Sequence, residues 1–410
     1  MKAPSVFPTG ASSNRVMIHR LLILVLVFIL VPFARGQERL LSILEQRDLT
    51  LEQQVDSVIQ EFGLHVKEKE LSRLLGILDK NGGKTRCVAV SYRTVDPKGR
   101  EVAASGLIVY PLRGILRGVV EMCPYCREKS LCGTARMYTT EALAALLGYV
   151  VLIPDTLGYG MTSDLTIPLQ ISENSARVSA DLRLAAETYF EQTLQRKLPS
   201  RTTLFGYSLG APAALALAYL YTEHPEYGAR VKALCLGGGC FDPGLAFEKT
   251  LVSGKMNYLI YPSFVRSAND WQDAGLDARN LFQGSVLEDY DLISSGLLNP
   301  RKMVETYGSD VHAYLHPDCF TPEGNPDVNR LKTVLSQLAI PRVEKRPLPC
   351  SVKVVIRHSA KDDIVPVACS DLLYRQISGA FRPVRYFREK SGTHYETAVR
   401  SFRDLVFLLL

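Results

Sequence analysis

Beyond its first 36 residues the sequence has almost no excess of one charge. Lys2, Arg15, Arg20 and Arg35 stand in that stretch without a single acid, and without them the 48 basic residues fall nearly level with the 42 acidic ones. A near-neutral body gives no electrostatic case for binding nucleic acid. Repeats and low-complexity stretches are missing too. So is any later apolar run of membrane length, the longest being a small-residue stretch around Ala213–Tyr221. At 47% apolar and 22% charged residues the composition of the 410-residue chain is globular, which excludes long-range disorder, a collagen-like repeat and a coiled coil. No His/Cys/Asp cluster has metal-ligand spacing. Gly237-Gly238-Gly239 lacks both the Gly-Lys-Ser/Thr ending and the Gly-x-Gly-x-x-Gly spacing of phosphate loops. Neither a metal nor an organic cofactor is expected.

What is present begins with an address. Arg15, His19 and Arg20 precede an apolar run from Leu21 to Phe33, and Ala34-Arg35-Gly36 follows with small residues at alternate positions. A basic region, a short apolar core and a small-x-small site read as a secretory signal peptide over residues 1–36, cut after Gly36. The alternative is an N-terminal membrane anchor, but the run falls short of the ~20 residues that a spanning helix needs. The protein is therefore expected to be exported. An odd number of cysteines, nine, leaves at least one thiol free. Cys123-x-x-Cys126 has no second pair to make a metal site, and Cys87, Cys235 and Cys369 read as buried thiols.

Residues 37–84 carry apolar residues at three- and four-residue spacing and read as a helical segment. Two alternating runs follow, Thr85–Tyr92 and Val102–Tyr110, around the turn Asp96-Pro97-Lys98-Gly99. They predict an antiparallel hairpin. After it come short buried runs, Gly118–Met122, Val150–Ile153, Thr202–Phe205, Val231–Leu236 and Val352–Ile356. Helical stretches such as Glu141–Leu147, Glu173–Leu194 and Gly210–Tyr221 separate them. Strands alternating with helices predict an α/β fold with a mostly parallel sheet covered on both faces. Between Leu236 and Val352 no buried strand is evident over roughly 110 residues, too long for a structureless loop. Residues 243–347 are therefore expected to be an inserted helical cap, dividing a core of 85–242 and 348–410.

The sharpest local signal is Gly206-Tyr207-Ser208-Leu209-Gly210, between a strand and a small-residue helix. A turn that tight strains the serine backbone, and glycine at both flanks removes the clash that side chains would make. Ser208 is thus the candidate nucleophile, with the Leu209 amide at the helix start as an oxyanion donor. A serine needs a base. His19 leaves with the signal, His65 precedes the sheet, and His224 closes the wrong end of its helix. His312 and His316 fall in the cap, and His358 reads as a structural turn residue. His394, in Ser391-Gly392-Thr393-His394-Tyr395 near the C-terminus, remains. The orienting acid comes from Asp362-Asp363 after the last buried strand. Asp362 is chosen because Val365-Pro366 fixes the following turn, which leaves Asp363 to face solvent or cap a helix. Asp155 and Asp242 also follow strands and read as structural.

The order Ser208…Asp362…His394 is that of the α/β-hydrolases, and within that superfamily the chain resembles the secretory lipase family. The resemblance rests on Ser91-Tyr92-Arg93-Thr94 with Asp96 and Gly99, on Ala104-Ser105-Gly106, on Pro154-Asp155 with Gly158-Tyr159-Gly160, and on the turns at Ser208 and Asp362. It runs from about Ser91 to Tyr395 outside the cap. It implies an α/β-hydrolase fold with a helical lid and a serine hydrolase of carboxylic esters, acting on a small ester or lipid and touching a lipid surface transiently through the cap. Where many α/β-hydrolases carry a His-Gly pair, this chain has Cys123-Pro124-Tyr125-Cys126-Arg127. The second oxyanion donor is expected from this loop, at Tyr125 or Cys126, since Pro124 has no N–H, and Tyr125 is taken as the first choice. Tyr207 and Cys126 are the expected substrate contacts. Tyr258, Tyr261, Phe264, Trp271 and Phe282 either line an acyl tunnel or form the cap's own core. A peptidase on the same fold is the alternative, with Glu288, Asp289 or Asp291 gripping a peptide terminus. A non-enzymatic binding protein on a hydrolase scaffold is a third.

Overall fold

In the computed structural model, residues 39–62, 83–125, 132–137, 140–298, 300–340, 348–378 and 384–410 are described. The expected signal peptide, His65 and Cys126 lie outside them. The segment expected to be helical opens instead with a strand, β1 (Leu40–Leu49), followed by helix α1 (Leu51–Phe62). The strand pairs antiparallel with β2 (Thr85–Val95), but its register shifts between Leu40 and Ser42 and again between Ile43 and Glu45. Each irregularity moves an apolar residue out of alternation, so an edge strand shows a helix-like spacing in the sequence. β2 continues through the predicted turn into β3 (Glu101–Pro111), paired without a break from Thr85 opposite Pro111 to Val95 opposite Glu101. Asp96 closes that turn by accepting from the amides of Lys98 and Arg100, each at 2.9 Å.

Apolar runs flanked by helices become parallel strands because burial on both faces leaves no room for polar alternation. They are β4 (Gly118–Cys123), β5 (Tyr149–Pro154), β6 (Arg201–Tyr207), β7 (Arg230–Gly237) and β8 (Lys353–Ser359). A further parallel strand, β9 (Val384–Glu389), was not evident in the sequence. It is an edge strand, with Arg385 and Arg388 exposed and Glu389 paired to Arg357 and Arg400, so it never needed an apolar run. The sheet runs β1-β2-β3-β5-β4-β6-β7-β8-β9. From β4 the chain steps to β5 on one side, and from β6 it steps to β7 on the other. The crevice between the carboxyl ends of β4 and β6 is therefore the switch point, where ligands bind in open α/β sheets.

Helices α2 (Ser172–Leu194) and α3 (Gly210–Glu223) cover one face. Between them and the sheet lies a polar knot. Arg183, fully buried, donates to Glu121 Oε1 at 2.9 Å, and Tyr221 Oη donates to Glu121 Oε2 at 2.6 Å. Burial pushes the Glu121 carboxyl up, and Arg183 and Tyr221 offset only part of that rise. The opposite face is covered by a 3-10 helix, Thr140–Leu147, and by the last helix, which meet over Leu107, Val120 and Val151.

Between β7 and β8 the chain is helical where described. It forms α4 (Pro243–Ser253), α5 (Tyr261–Gln272), α6 (Gly284–Glu288), α7 (Tyr290–Ser294), α8 (Pro300–Tyr307) and α9 (Pro326–Gln337). These share an apolar cluster of their own that includes Phe247, Leu281, Phe282, Val311 and Leu331. Two helices complete the fold, α10 (Ala368–Ile377) and α11 (His394–Leu409). Among the described residues no helix is long and apolar enough to cross a membrane. Replacing one member of the buried ion pair leaves the other as an uncompensated charge. Arg183→Leu is therefore expected to cost about 3–5 kcal/mol of stability, read as a lowered urea midpoint with an unchanged slope.

Candidate active site

The turn from β6 into α3 is held by contacts that no side chain could share. A Cβ on Gly206 would sit 2.1 Å from the Gly210 carbonyl oxygen, and one on Gly210 would sit 1.9 Å from that of Cys123. Both positions must be glycine, and the second presses the turn against the end of β4. Between them Ser208 has φ +53°, a left-handed conformation costing about 1 kcal/mol or more in a residue with a side chain. Its amide donates to the Gly237 carbonyl at 2.8 Å, which fixes the turn to the next strand. The amide of Leu209, the N-cap of α3, belongs to the donors that a helix start leaves without an internal acceptor.

Two adjacent carboxylates hold His394. Asp362, in the turn after β8, accepts from the amides of Ile364 and Val365 through Oδ1, at 3.0 and 2.8 Å. Its Oδ2 accepts from His394 Nδ1 at 2.8 Å and lies 3.3 Å from His358 Nε2. Burial alone would push this carboxyl up. The hydrogen bonds and charges of His358 and His394 outweigh it and hold the group well below the usual carboxylate range. His358 is structural as expected, its Nδ1 on Ser370 Oγ at 2.7 Å and its Nε2 on the Val365 carbonyl at 3.0 Å, and it also buttresses the acid. Asp363 does not cap the helix that follows it, α10, but serves the start of α11. Its Oδ1 accepts from the His394 amide at 2.9 Å, and its Oδ2 from Asn257 Nδ2, in the helical insertion, at 2.8 Å.

His394 is the first residue of α11, not a loop residue before it. Thr393 caps the helix in a reciprocal box with Glu396. Tyr207 donates its hydroxyl to the His394 carbonyl, and the two rings lie 4.9 Å apart. Expected as a substrate contact, Tyr207 spends its polar atom on supporting the imidazole, and burial pushes its phenol well up.

Ser208, Leu209, Tyr125, Tyr207 and His394 all border one cavity of about 780 Å³. Among the described residues no hydrogen bond joins Ser208 to His394. The imidazole nevertheless stands beside the serine turn, its ring packed against that of Tyr207, and close to the turn after β7, where a Cβ on Gly238 would lie 3.1 Å from its Cε1. Catalytic hydrogen bonds are often long in unliganded enzymes. Of the insertion's aromatics, Tyr258, Tyr261 and Phe264 reach the cavity wall. Phe282 is in the insertion's core, and Trp271 donates Nε1 to the Thr166 carbonyl at 3.0 Å. Glu288, Asp289 and Asp291 are not in the wall, and Asp289 accepts from Tyr307 Oη at 2.8 Å. His312 stacks on Phe320, and His316 accepts from the Asp318 amide. Asp155 and Asp242 are structural, the first holding Ser105 at 2.8 Å and the second capping α4 through the Leu245 amide.

The sequence reading missed Asp363 as a partner of His394, although its adjacency to Asp362 offered the signal. It also missed Gln170, a wall residue with left-handed φ +58°.

A carboxyl whose folded pKa lies below its unfolded one contributes stability above the ordinary carboxylate range and loses it as the pH falls through the folded value. The thermal midpoint of Asp362→Asn should therefore decline less than that of the native protein between about pH 6 and about pH 3. Parallel curves would contradict this.

The alpha/beta hydrolase family model matches residues 131–400. No curated protein matches the chain. Among solved structures the chain is similar to the rice cell wall degrading esterase LipA of Xanthomonas oryzae. The two are 17% identical over 90% of this chain and 96% of that one, with a TM-score of 0.69. It is similar also to a Legionella pneumophila protein assigned to the hydrolases, at 16% identity over 91% and 97% with a TM-score of 0.70. Against Candida antarctica lipase A the figures are 15%, 88%, 78% and 0.59. At such identities the likeness speaks for the fold, while the match from residue 131 to residue 400 spans most of the sheet and the insertion. The chain belongs to the alpha/beta hydrolase family.

Proposed function

We propose that the protein is an exported serine hydrolase of carboxylic esters, related in function to the secretory lipases its sequence resembles. The observation that carries this reading is one cavity bordered by a strained serine, a helix-start amide and a histidine whose Nδ1 is held by a buried carboxylate. With Nδ1–H given to Asp362, Nε2 is the nitrogen left to act as base. Ser208 Oγ attacks the ester carbonyl as its proton passes to Nε2, and the tetrahedral oxyanion takes the Leu209 amide and a second donor at Tyr125. The imidazolium then protonates the departing alcohol, leaving an acyl-serine. Water, deprotonated by the same imidazole, releases the acid. The helical insertion supplies apolar wall, Met256, Ile260 and Phe264 among it, which suits an acyl group better than a charged peptide end. Export rests on the basic and apolar pattern of residues 1–36.

Two outcomes test the mechanism. Native protein should hydrolyse p-nitrophenyl esters and be labelled at Ser208 by a fluorophosphonate. Ser208→Ala should lose roughly 10³-fold or more in kcat and all labelling. Turnover that survives the substitution removes the mechanism. Asp363→Ala frees the His394 backbone while leaving Asp362 in place, so kcat should fall about tenfold with KM nearly kept, as expected for a displaced base. An unchanged kcat would show that Asp363 does not position the base.

A further inference from the structure

Helix α11 begins at His394, so the way it lies on the sheet decides where the imidazole is presented. Its inner residues Ala398, Phe402, Leu405 and Leu409 pack into an apolar cluster with the sheet. Ser401 comes so close to the end of β7 that a Cβ on Gly237 would lie 2.3 Å from its Oγ. That contact limits how near helix and strand can come. Apolar packing is non-directional, so it leaves the rotation of the helix about its own axis weakly fixed.

Direction comes from four charged side chains that join α11 to two strands. Arg357, on β8 and 7% exposed, donates to both oxygens of Asp404, with Nη2 2.9 Å from Oδ1. Through Nη1 it also reaches Glu389, the last residue of β9, whose second oxygen accepts from Arg400. Arg400 Nη1 donates as well to the Ser391 carbonyl at 3.1 Å, in the short connection 390–393 between β9 and α11. Gly392 of that connection stands at φ +120°, and a Cβ there would lie 3.0 Å from the same nitrogen. The Arg357 carbonyl accepts from the Gly238 amide at 2.9 Å, in the turn close to the imidazole. Arg400 and Asp404, at i and i+4, share one face of α11. Buried ion pairs add little stability, because desolvation offsets their attraction and apolar residues of similar volume would join helix and strand as well. What a forked guanidinium adds is orientation, since its parallel hydrogen bonds admit one geometry.

We propose that Arg400 is a positioning residue for the base. Held by Glu389 and holding the Ser391 carbonyl, it fixes the rotation of α11 and the connection that leads into it, and so aims His394 at Ser208. This rests on the ester hydrolase reading of the site. Arg400 does not border the cavity, so its effect reaches the reaction through the chain and not through the substrate. Asp363 holds the His394 amide from the turn after β8, and Arg400 holds the connection just before it from the helix itself. With its side chain 36% exposed, its removal strands no buried charge, since Glu389 keeps Arg357.

The test compares native protein with Arg400→Ala and Arg400→Lys on p-nitrophenyl butyrate. Arg400→Ala should lower kcat about tenfold and keep KM within about twofold. Labelling of Ser208 by a fluorophosphonate should slow by about the same factor, because that step too needs the base. Arg400→Lys keeps a donor and a positive charge beside Glu389 and should regain most of the loss, while both variants melt within about 3 °C of the native protein. An unchanged kcat in Arg400→Ala, with native protein labelled at Ser208, overturns this inference alone. So does a rise in KM at constant kcat, which would make Arg400 a binding residue. A loss that comes with a melting temperature lowered by more than about 5 °C, in Arg400→Ala and Arg400→Lys alike, assigns Arg400 to packing and overturns it too. A native protein that is neither labelled nor active on any ester overturns the hydrolase reading and this inference with it.

Discussion

In the proposed mechanism His394 takes the serine proton through Nε2, and what fixes its ring for that is the bond from Nδ1 to Asp362. Everything else in the site is arranged around keeping that carboxylate ionised and still. Two backbone amides and His358 occupy its remaining lone pairs, so burial does not neutralise it. Loss of that ionisation would leave the imidazole without its anchor at Nδ1. Asp363 extends the same logic to the main chain, so that one dipeptide fixes both the ring and the backbone of His394.

The same dipeptide also ties the sheet to the helical insertion. Asn257 donates its side-chain amide to Asp363 Oδ2 and its backbone amide to the Asp363 carbonyl. The insertion in turn contributes wall to the cavity and pins the segment bearing Gln170. The insertion therefore meets the sheet domain through separate sets of hydrogen bonds, one from α5 to the segment 166–169 and one from Asn257 to Asp363 beside α11.

The local signals in the sequence were strong wherever a single short segment must satisfy its own constraints. The turn at Ser208 needs glycine at Gly206 because a side chain there would strike the turn's own backbone, while Gly210 is required by the end of the neighbouring strand β4. The parallel strands had to be apolar throughout because helices bury both their faces. Edge strands carry no such demand. β9 carries Arg385 and Arg388 in solvent and Glu389 in ion pairs, and β1 loses its alternation to two register shifts, so one was missed and the other was read as helix. The choice of Asp362 over Asp363 was readable from the turn that follows. The service of Asp363 was not, because its partners lie 31 residues downstream and 106 upstream.

By itself the sequence determined the fold class, the nucleophile's turn and the chain order of the three candidate groups. Each follows from periodicity, from chain order or from the crowding inside one short turn. Tertiary structure alone decided which atoms of those groups meet, what borders the cavity, and that Gly210 lies against the end of β4. Such facts depend on contacts between segments far apart along the chain, and no local pattern encodes the distance between them.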